Sequence, residues 1–208
     1  MTDPHHSALH DRAIEDLTFI RRTMEGAASF TDVPGWGLVG VGTVALVSAP
    51  IAALQPSAER WLAAWLCAAT VAASLGVVAM LRKMQRRLEG NGARLLDVPT
   101  RKFLLGFWPA IVAGALITIG LLDPLVPGIE SRLVERIFPG IWLTLYGLGV
   151  ITAGTFSIRA VPLMGVTLMA LGGSALFLPA VDGDLMMALG FGATQIGFGT
   201  YIARRHGG

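Results

Sequence analysis

The sequence predicts an all-α fold: a polytopic membrane helical bundle of six transmembrane helices, preceded by an N-terminal amphipathic helix. Hydrophobic residues make up 53% of the 208 residues and charged residues only 14%, a balance outside the range of ordinary soluble domains. The mean hydropathy is +0.63. Uncharged runs long enough to cross a bilayer alternate with short charged segments. Composition and alternation together indicate a chain that crosses a membrane six times.

Residues 1–35 are predicted to form a cytoplasmic amphipathic arm. Between Ser7 and Phe30, apolar residues recur at the three- and four-residue steps of a helix. The stripe includes Leu9, Ile14, Leu17, Ile20 and Met24. Such a helix is expected to lie along the membrane surface or against the other helices. A second interpretation is that the stripe binds a cytosolic partner.

The predicted transmembrane domain covers residues 36–203, and residues 204–208 form a cytoplasmic tail. Its spans are placed at about 36–54, 61–81, 103–122, 139–157, 161–178 and 185–202. The first span has 19 uncharged residues, which at about 1.5 Å each nearly cross the roughly 30 Å hydrocarbon core. Trp36 stands at its start and is predicted to be an interface anchor, because indole rings favour the membrane interface. Pro139 is expected to open the fourth span, after a short interfacial helix within the loop PLVPGIESRLVERIFPG.

The connector between the second and third spans is strongly basic and predicts the orientation of the protein. It contains seven cations: Arg82, Lys83, Arg86, Arg87, Arg94, Arg101 and Lys102. Lysine and arginine near apolar spans stay on the cytoplasmic side. If both termini are cytoplasmic too, 13 of the 16 Lys and Arg residues lie inside, and only Arg60, Arg132 and Arg136 lie outside. The sequence therefore predicts a multi-pass protein of the bacterial inner membrane with cytoplasmic N- and C-termini.

Several classes of function are disfavoured. The net charge is only +2 and the cations are sorted by topology, which does not suit a nucleic-acid-binding surface. The single cysteine, Cys67, excludes an internal disulfide and is expected to be a small core residue. The sequence contains no Walker motif, HExxH or GxSxG. We therefore expect a non-enzymatic protein with no catalytic residues, no cofactor and no metal site.

Polar side chains are few within the predicted spans. All charged residues fall in loops, termini or span ends, which disfavours proton- or sodium-coupled transport. The most polar interior residue is Gln195, and Thr43, Thr152 and Thr167 lie at comparable depths, with Tyr146 about one turn nearer the outside. One interpretation is that Gln195 hydrogen-bonds between helices as packing glue. The other is a small pocket around Gln195 and Tyr146. Under either, Gln195→Leu is expected to leave membrane insertion intact.

Three segments resemble a family of uncharacterised bacterial six-span membrane proteins. They are IRRTMEGAASFTDVPGWG in the arm and first elbow, FPGIWLTLYGLGVITAGTFSIRAVPLMGVTLMALGGSALFLP in the second half, and the ending IARRHGG. Members of this family are often encoded beside a small winged-helix transcription regulator, which implies a cytosolic regulator as a partner. Some members carry histidine where this chain has Gln195, so the resemblance does not support a metal or haem at this position. The family supplies no catalytic residue.

Two classes of function fit these observations. The first is a membrane sensor or interaction component, whose partners are the lipid bilayer and a cytosolic regulator contacting the N-terminal arm. The second is a small permease or channel for neutral or lipid-like molecules, based on the polar midplane residues and glycine-rich spans. A water-accessible cavity reaching Gln195 would favour transport. A closed interior with an exposed apolar face on the arm would favour interaction.

Overall fold

The structure is a computed structural model that describes residues 14, 16–17, 33–91, 98–122, 131–155, 157–178 and 182–206. The first five helices are α1 (Gly35–Ala53), α2 (Ala58–Asn91), α3 (Val98–Leu122), α4 (Ser131–Gly154) and α5 (Ala160–Phe177). The chain then forms α6 (Gly183–Met187), a π-helical segment π1 (Ala188–Thr194) and α7 (Gln195–His206). These last three segments follow one another without a break and are called the sixth span.

The predicted all-α fold is confirmed. All the secondary-structure elements assigned among the described residues are helices. Six helical stretches are long and apolar enough to cross a membrane. Large apolar side chains such as Leu75, Leu105 and Leu116 cover the outer surface. An outer surface this apolar suits lipid contact rather than water. The chain is therefore an integral, multi-pass membrane protein.

The fourth helix differs from its prediction. Residues Ser131–Gly154 form one continuous helix, so the expected separate interfacial helix and the helix start at Pro139 are wrong. Within a helix, Pro139 cannot donate a backbone hydrogen bond to the carbonyl of Glu135. The start of α6 covers this place, because a Cβ added to Gly183 would lie 3.1 Å from the Glu135 carbonyl oxygen. Packing by a neighbouring helix is how membrane proteins tolerate such prolines.

The expectation that Cys67 is a core residue is also wrong, since its side chain is exposed. The reason is the peripheral position of α2, which packs mainly on α1. Ala68 is buried, whereas Cys67, one residue earlier on the helix, is turned to the outside. Hydropathy shows that a residue lies in a span but not whether it faces protein or lipid.

Helix α1 packs antiparallel against the sixth span through two pairs of glycines. A Cβ added to Gly42 would lie 2.7 Å from the carbonyl oxygen of Gly192, and one added to Gly199 would lie 2.7 Å from that of Gly35. In each helix the two glycines are about two turns apart. Small residues at such positions let helix backbones approach closely in a membrane.

Helices α4 and α5 pack antiparallel in the same way. Added Cβ atoms at Gly147 and Gly165 would each lie 2.7 Å from the other glycine's carbonyl oxygen. The corresponding distance for Gly140 and Gly172 is 3.0 Å in both directions. The bundle core lies around these helices, where Leu143, Leu168 and Ile202 have no exposed surface.

Helices α2 and α3 flank this centre, α2 on α1 and α3 on α4. The 34 residues of α2 measure about 50 Å, roughly 20 Å more than the hydrocarbon core. The helix therefore extends beyond the bilayer at the end that carries Arg82, Lys83 and Arg86, which we call the basic end. The other side of the bundle, where α2 and the sixth span begin, is called the opposite end.

Candidate functional site

Gln195 is the candidate centre of the site. It lies near the middle of the span Gly183–Arg205, and only 1% of its surface is exposed. Among the described residues, neither its Nε2 nor its Oε1 has a hydrogen-bond partner. Leaving a buried polar group unsatisfied costs about 1–3 kcal/mol. A hydrogen bond to a group on a neighbouring helix would remove this cost.

Tyr146 of α4 lies beside Gln195, and the two side chains are close enough to interact without completing a hydrogen bond. Its ring is held edge-to-face by Phe107 of α3, with centroids 5.3 Å apart, and by Phe191 of π1, with centroids 5.1 Å apart. Phe103 stacks on Phe107 one turn away. We call these four residues the aromatic cluster. It gives the ring of Tyr146, next to the buried amide, apolar surroundings in which a hydrogen bond would be strong.

The segment π1 leads directly into Gln195. The Thr194 hydroxyl donates to the Leu189 carbonyl five residues earlier, at 2.9 Å. This spacing is that of the hydrogen bonds in a π-helix, which join residues five apart. Short π-helical segments inside α-helices are frequent at functional sites. Gly190 and Gly192 allow close packing here, Gly190 against Leu143 of α4 and Gly192 against α1. The sixth span thus changes its helical form at the depth where the buried amide lies.

The three threonines predicted at comparable depth are placed differently. The hydroxyl of Thr43 donates to the Val39 carbonyl at 2.9 Å. Thr152 donates to Leu148 at 2.8 Å, and Thr167 donates to Leu163 at 3.1 Å. Each hydroxyl is therefore satisfied by its own helix. The structure brings Gln195 and Tyr146 together, and these hydrogen bonds do not involve Gln195.

A second polar group, which sequence reasoning missed, lies at the opposite end. The indole Nε1 atoms of Trp61 and Trp65 donate to the same carboxylate oxygen, Oδ1 of Asp184, at 2.8 and 2.9 Å. We call these three residues the tryptophan clasp. The two tryptophans are four residues apart on α2, so they share one helix face. That spacing beside the start of a span was the available sequence signal.

The tryptophan clasp joins the flanking helix α2 to the start of the sixth span. Both indole rings are buried, and Trp61 also packs edge-to-face on Phe138 of α4. Next to it, Asp182 accepts a hydrogen bond from the backbone N–H of Leu185 at 2.9 Å and caps α6. Asp184 therefore joins two helices, whereas Asp182 caps the start of one helix.

The topology-setting cations of the connector lie partly on the end of α2 and partly on the start of α3. Arg82, Arg86 and Arg101 are exposed, and Lys102 is half-buried. Lys83 has an additional contact, because its Nζ donates to the Val33 carbonyl at 3.1 Å and so holds the start of α1 to the extension of α2. Arg94 lies outside the described residues, as does the side chain of Arg87.

The arm and its junction are described only in part. Ile14 and Leu17 are helical and exposed, by 50% and 66%, whereas Leu9, Ile20 and Met24 lie outside the described residues. Trp36, the predicted interface anchor, is 60% exposed in the first turn of α1. The described part of the arm thus presents two apolar side chains one turn apart.

An open groove of about 650 Å³ lies between α1 and α2. It is lined mostly by small and apolar side chains, among them Gly40, Thr43, Val47 and Cys67. The groove is on the face of α1 away from the sixth span, and Gln195 does not line it. It therefore does not connect the buried amide to water.

No protein-family model, curated protein or solved structure matches the chain. Gln195, the basic end and the arm are therefore the features from which a function can be inferred.

Proposed function

We propose that this protein is a non-enzymatic membrane sensor or interaction component of the bacterial inner membrane, which contacts a cytosolic regulator through its N-terminal arm. The observation that carries the proposal is the exposure of Ile14 and Leu17 on the helical arm. Residues three apart lie on the same side of a helix, so the two side chains form one apolar face. An amphipathic helix with such a face can enter a groove on a partner.

The contact between Lys83 and Val33 supports a role for the basic end in this interaction. Val33 lies at the end of the arm, two residues before α1 begins, and its carbonyl is fixed by the extension of α2. The arm therefore starts from a defined place beside Arg82 and Arg86. With the basic end cytoplasmic, as the distribution of lysine and arginine predicts, this whole surface faces the cytosol.

The proposal is tested by photo-cross-linking in cells that express the full-length protein. A photoreactive amino acid at Leu17 is expected to give one discrete adduct with a cytosolic regulator, identified by mass spectrometry. Ile14→Asp in the same chain should lower the yield at least about fivefold, because a carboxylate cannot enter an apolar interface without a large desolvation cost. The same probe at Asp16, which is exposed on another side of the helix, is the matched control.

Adducts with lipid alone, or within the chain itself, would contradict the proposal. They would show that the arm lies on the membrane or packs on its own bundle. An adduct whose yield is unchanged by Ile14→Asp would also contradict it.

A second function, a small permease for neutral molecules, is favoured by one specific observation. The polar groups that meet at the midplane are an amide and a phenol, Gln195 and Tyr146, and the amide has no hydrogen-bond partner among the described residues. Uncharged groups of this kind suit the binding of an uncharged molecule.

A further inference from the structure

The six spans form two units of three helices with matching internal packing. In one unit α1 lies between α2 and the sixth span, and in the other α4 lies between α3 and α5. The central helices share a sequence pattern: Pro34-Gly35 is followed by Gly42, and Pro139-Gly140 by Gly147 at the same spacing. These glycines form the antiparallel pairs described above. The correspondence therefore rests on sequence spacing and on backbone contacts.

The third helices of the two units also correspond. The sixth span contains Gly192, Thr194 and Gly199, and α5 contains Gly165, Thr167 and Gly172 at the same intervals. In this alignment Gln195 corresponds to Leu168. Both side chains are buried near the middle of their spans, with 1% and 0% exposed. The fold thus accepts a leucine at this position, and packing alone does not require the amide.

The two units run in opposite directions through the membrane. Successive spans alternate in direction, so the first, third and fifth run one way and the second, fourth and sixth run the other. Matching α1 with α4, α2 with α3 and the sixth span with α5 pairs an odd span with an even one each time. The two units therefore have opposite orientations in the membrane, although the chain runs through them in different orders: α1, α2 and the sixth span in one, and α3, α4 and α5 in the other.

Gln195 lies where the two units meet. The sixth span belongs to one unit, and it packs on α4 of the other through Gly190 against Leu143 and Phe191 against Tyr146. In many transporters the substrate site lies near the midplane, on helices whose regular hydrogen bonding is interrupted. The segment π1 supplies such an interruption immediately before Gln195.

We propose that Gln195, with Tyr146 beside it, binds a small uncharged solute that carries both a hydrogen-bond donor and an acceptor, and that the protein passes this solute across the membrane where the two units meet. The Gln195 Nε2 donates to the solute and its Oε1 accepts from it, which satisfies both buried amide atoms. The aromatic cluster excludes water around the solute. This inference rests on the permease function and not on the arm.

The choice of an uncharged solute follows from the site's surroundings. Tyr146 lies beside Gln195, the rings of Phe107 and Phe191 pack on Tyr146, and Leu143 packs on Gly190 of the same span; none of these side chains carries a charge. An ion in such a place would lose its hydration without a counter-charge. An amide or alcohol group loses less and regains it in hydrogen bonds to Gln195.

The test uses full-length protein in liposomes and stopped-flow light scattering, with urea, acetamide and glycerol as probes. Wild-type liposomes are expected to take up at least one probe faster than protein-free liposomes. Gln195→Leu should lower the protein-dependent rate about tenfold, since it removes hydrogen bonds to the solute. Its thermal stability should be unchanged or higher, because Leu168 shows that leucine fits and the unsatisfied amide is gone. Thr43→Val, whose hydroxyl bonds its own helix, is the matched control and should keep the wild-type rate.

Two results would overturn the proposal: no probe enters wild-type liposomes faster than protein-free ones, or Gln195→Leu, reconstituted equally, passes the same probes at the wild-type rate. If Gln195→Leu is poorly folded, Gln195→Met replaces it as a longer apolar side chain. Absence of solute flux together with a Leu17 cross-link to a cytosolic regulator removes this inference and leaves the arm's function standing.

Discussion

Gly172→Ala is expected to lower the stability of the protein by about 3 kcal/mol or more, near the upper end of the usual cost of overpacking a close contact. The added methyl group would lie 2.7 Å from the backbone nitrogen of Thr144 and 3.0 Å from the carbonyl oxygen of Gly140. These are backbone atoms of α4, so the clash is relieved only if α4 and α5 move apart. Thermal unfolding of the purified protein in detergent should show a midpoint lower by on the order of 5–10 °C.

The neighbouring residue provides the matched control. A Cβ added to Gly173 would have no atom of another helix within 4 Å among the described residues. Gly173→Ala should therefore be neutral or stabilising by about 0.5–1 kcal/mol, the helix preference of alanine over glycine. In the other unit, Gly42→Ala and Gly40→Ala should behave in the same way, because Gly42 faces the Gly192 carbonyl and Gly40 faces open space. Equal stability of Gly172→Ala and Gly173→Ala would contradict the packing described for α4 and α5.

Asp184→Ala is expected to lower stability by about 2–5 kcal/mol, because it leaves two buried indole N–H groups without their acceptor. Trp61 and Trp65 both donate to one oxygen of Asp184, so a single substitution breaks both hydrogen bonds. The loss should appear as a lower unfolding midpoint. Asp184→Asn keeps an acceptor oxygen and should recover a large part of the lost stability.

Asp182→Ala is the matched control for the tryptophan clasp. It removes the same charge from the same turn but only one capping hydrogen bond, worth about 1 kcal/mol. Trp61→Phe should cost less than Asp184→Ala, since it removes one donor and leaves no unsatisfied group on Trp65. If Asp182→Ala were as destabilising as Asp184→Ala, the joint acceptor role of Asp184 would be refuted.

The sequence was sufficient to predict the all-α fold and the number of membrane-spanning helices, and it gave a pocket around Gln195 and Tyr146 as one of two interpretations of the polar midplane residues. These predictions depend on the length of uncharged runs and on the depth of each residue within a span, which hydropathy and helix rise determine directly. The predicted start of the fourth helix at Pro139 was wrong, because a neighbouring backbone at Gly183 makes an internal proline tolerable. Such a neighbour cannot be identified from local sequence.

Helix pairing was not predicted, because lipid is as apolar as leucine and hydropathy therefore does not distinguish a lipid-facing side from a packed one. Cys67 shows this limit, since it lies within a span and faces outward. The equal glycine spacings of Gly35 with Gly42 and Gly140 with Gly147 were a readable signal for the two central helices. The tryptophan clasp joins residues more than 100 positions apart, and only the fold brings them together.

The orientation of the six spans is the claim on which the cytoplasmic position of the arm and of the basic end depends. In a Cys67→Ser background, single cysteines are placed by Glu59→Cys near the opposite end and by Arg86→Cys at the basic end, both at exposed positions. A membrane-impermeant maleimide added to spheroplasts should label Glu59→Cys at once and Arg86→Cys only after lysis. Labelling of Arg86→Cys in intact spheroplasts, with Glu59→Cys protected, would contradict the account.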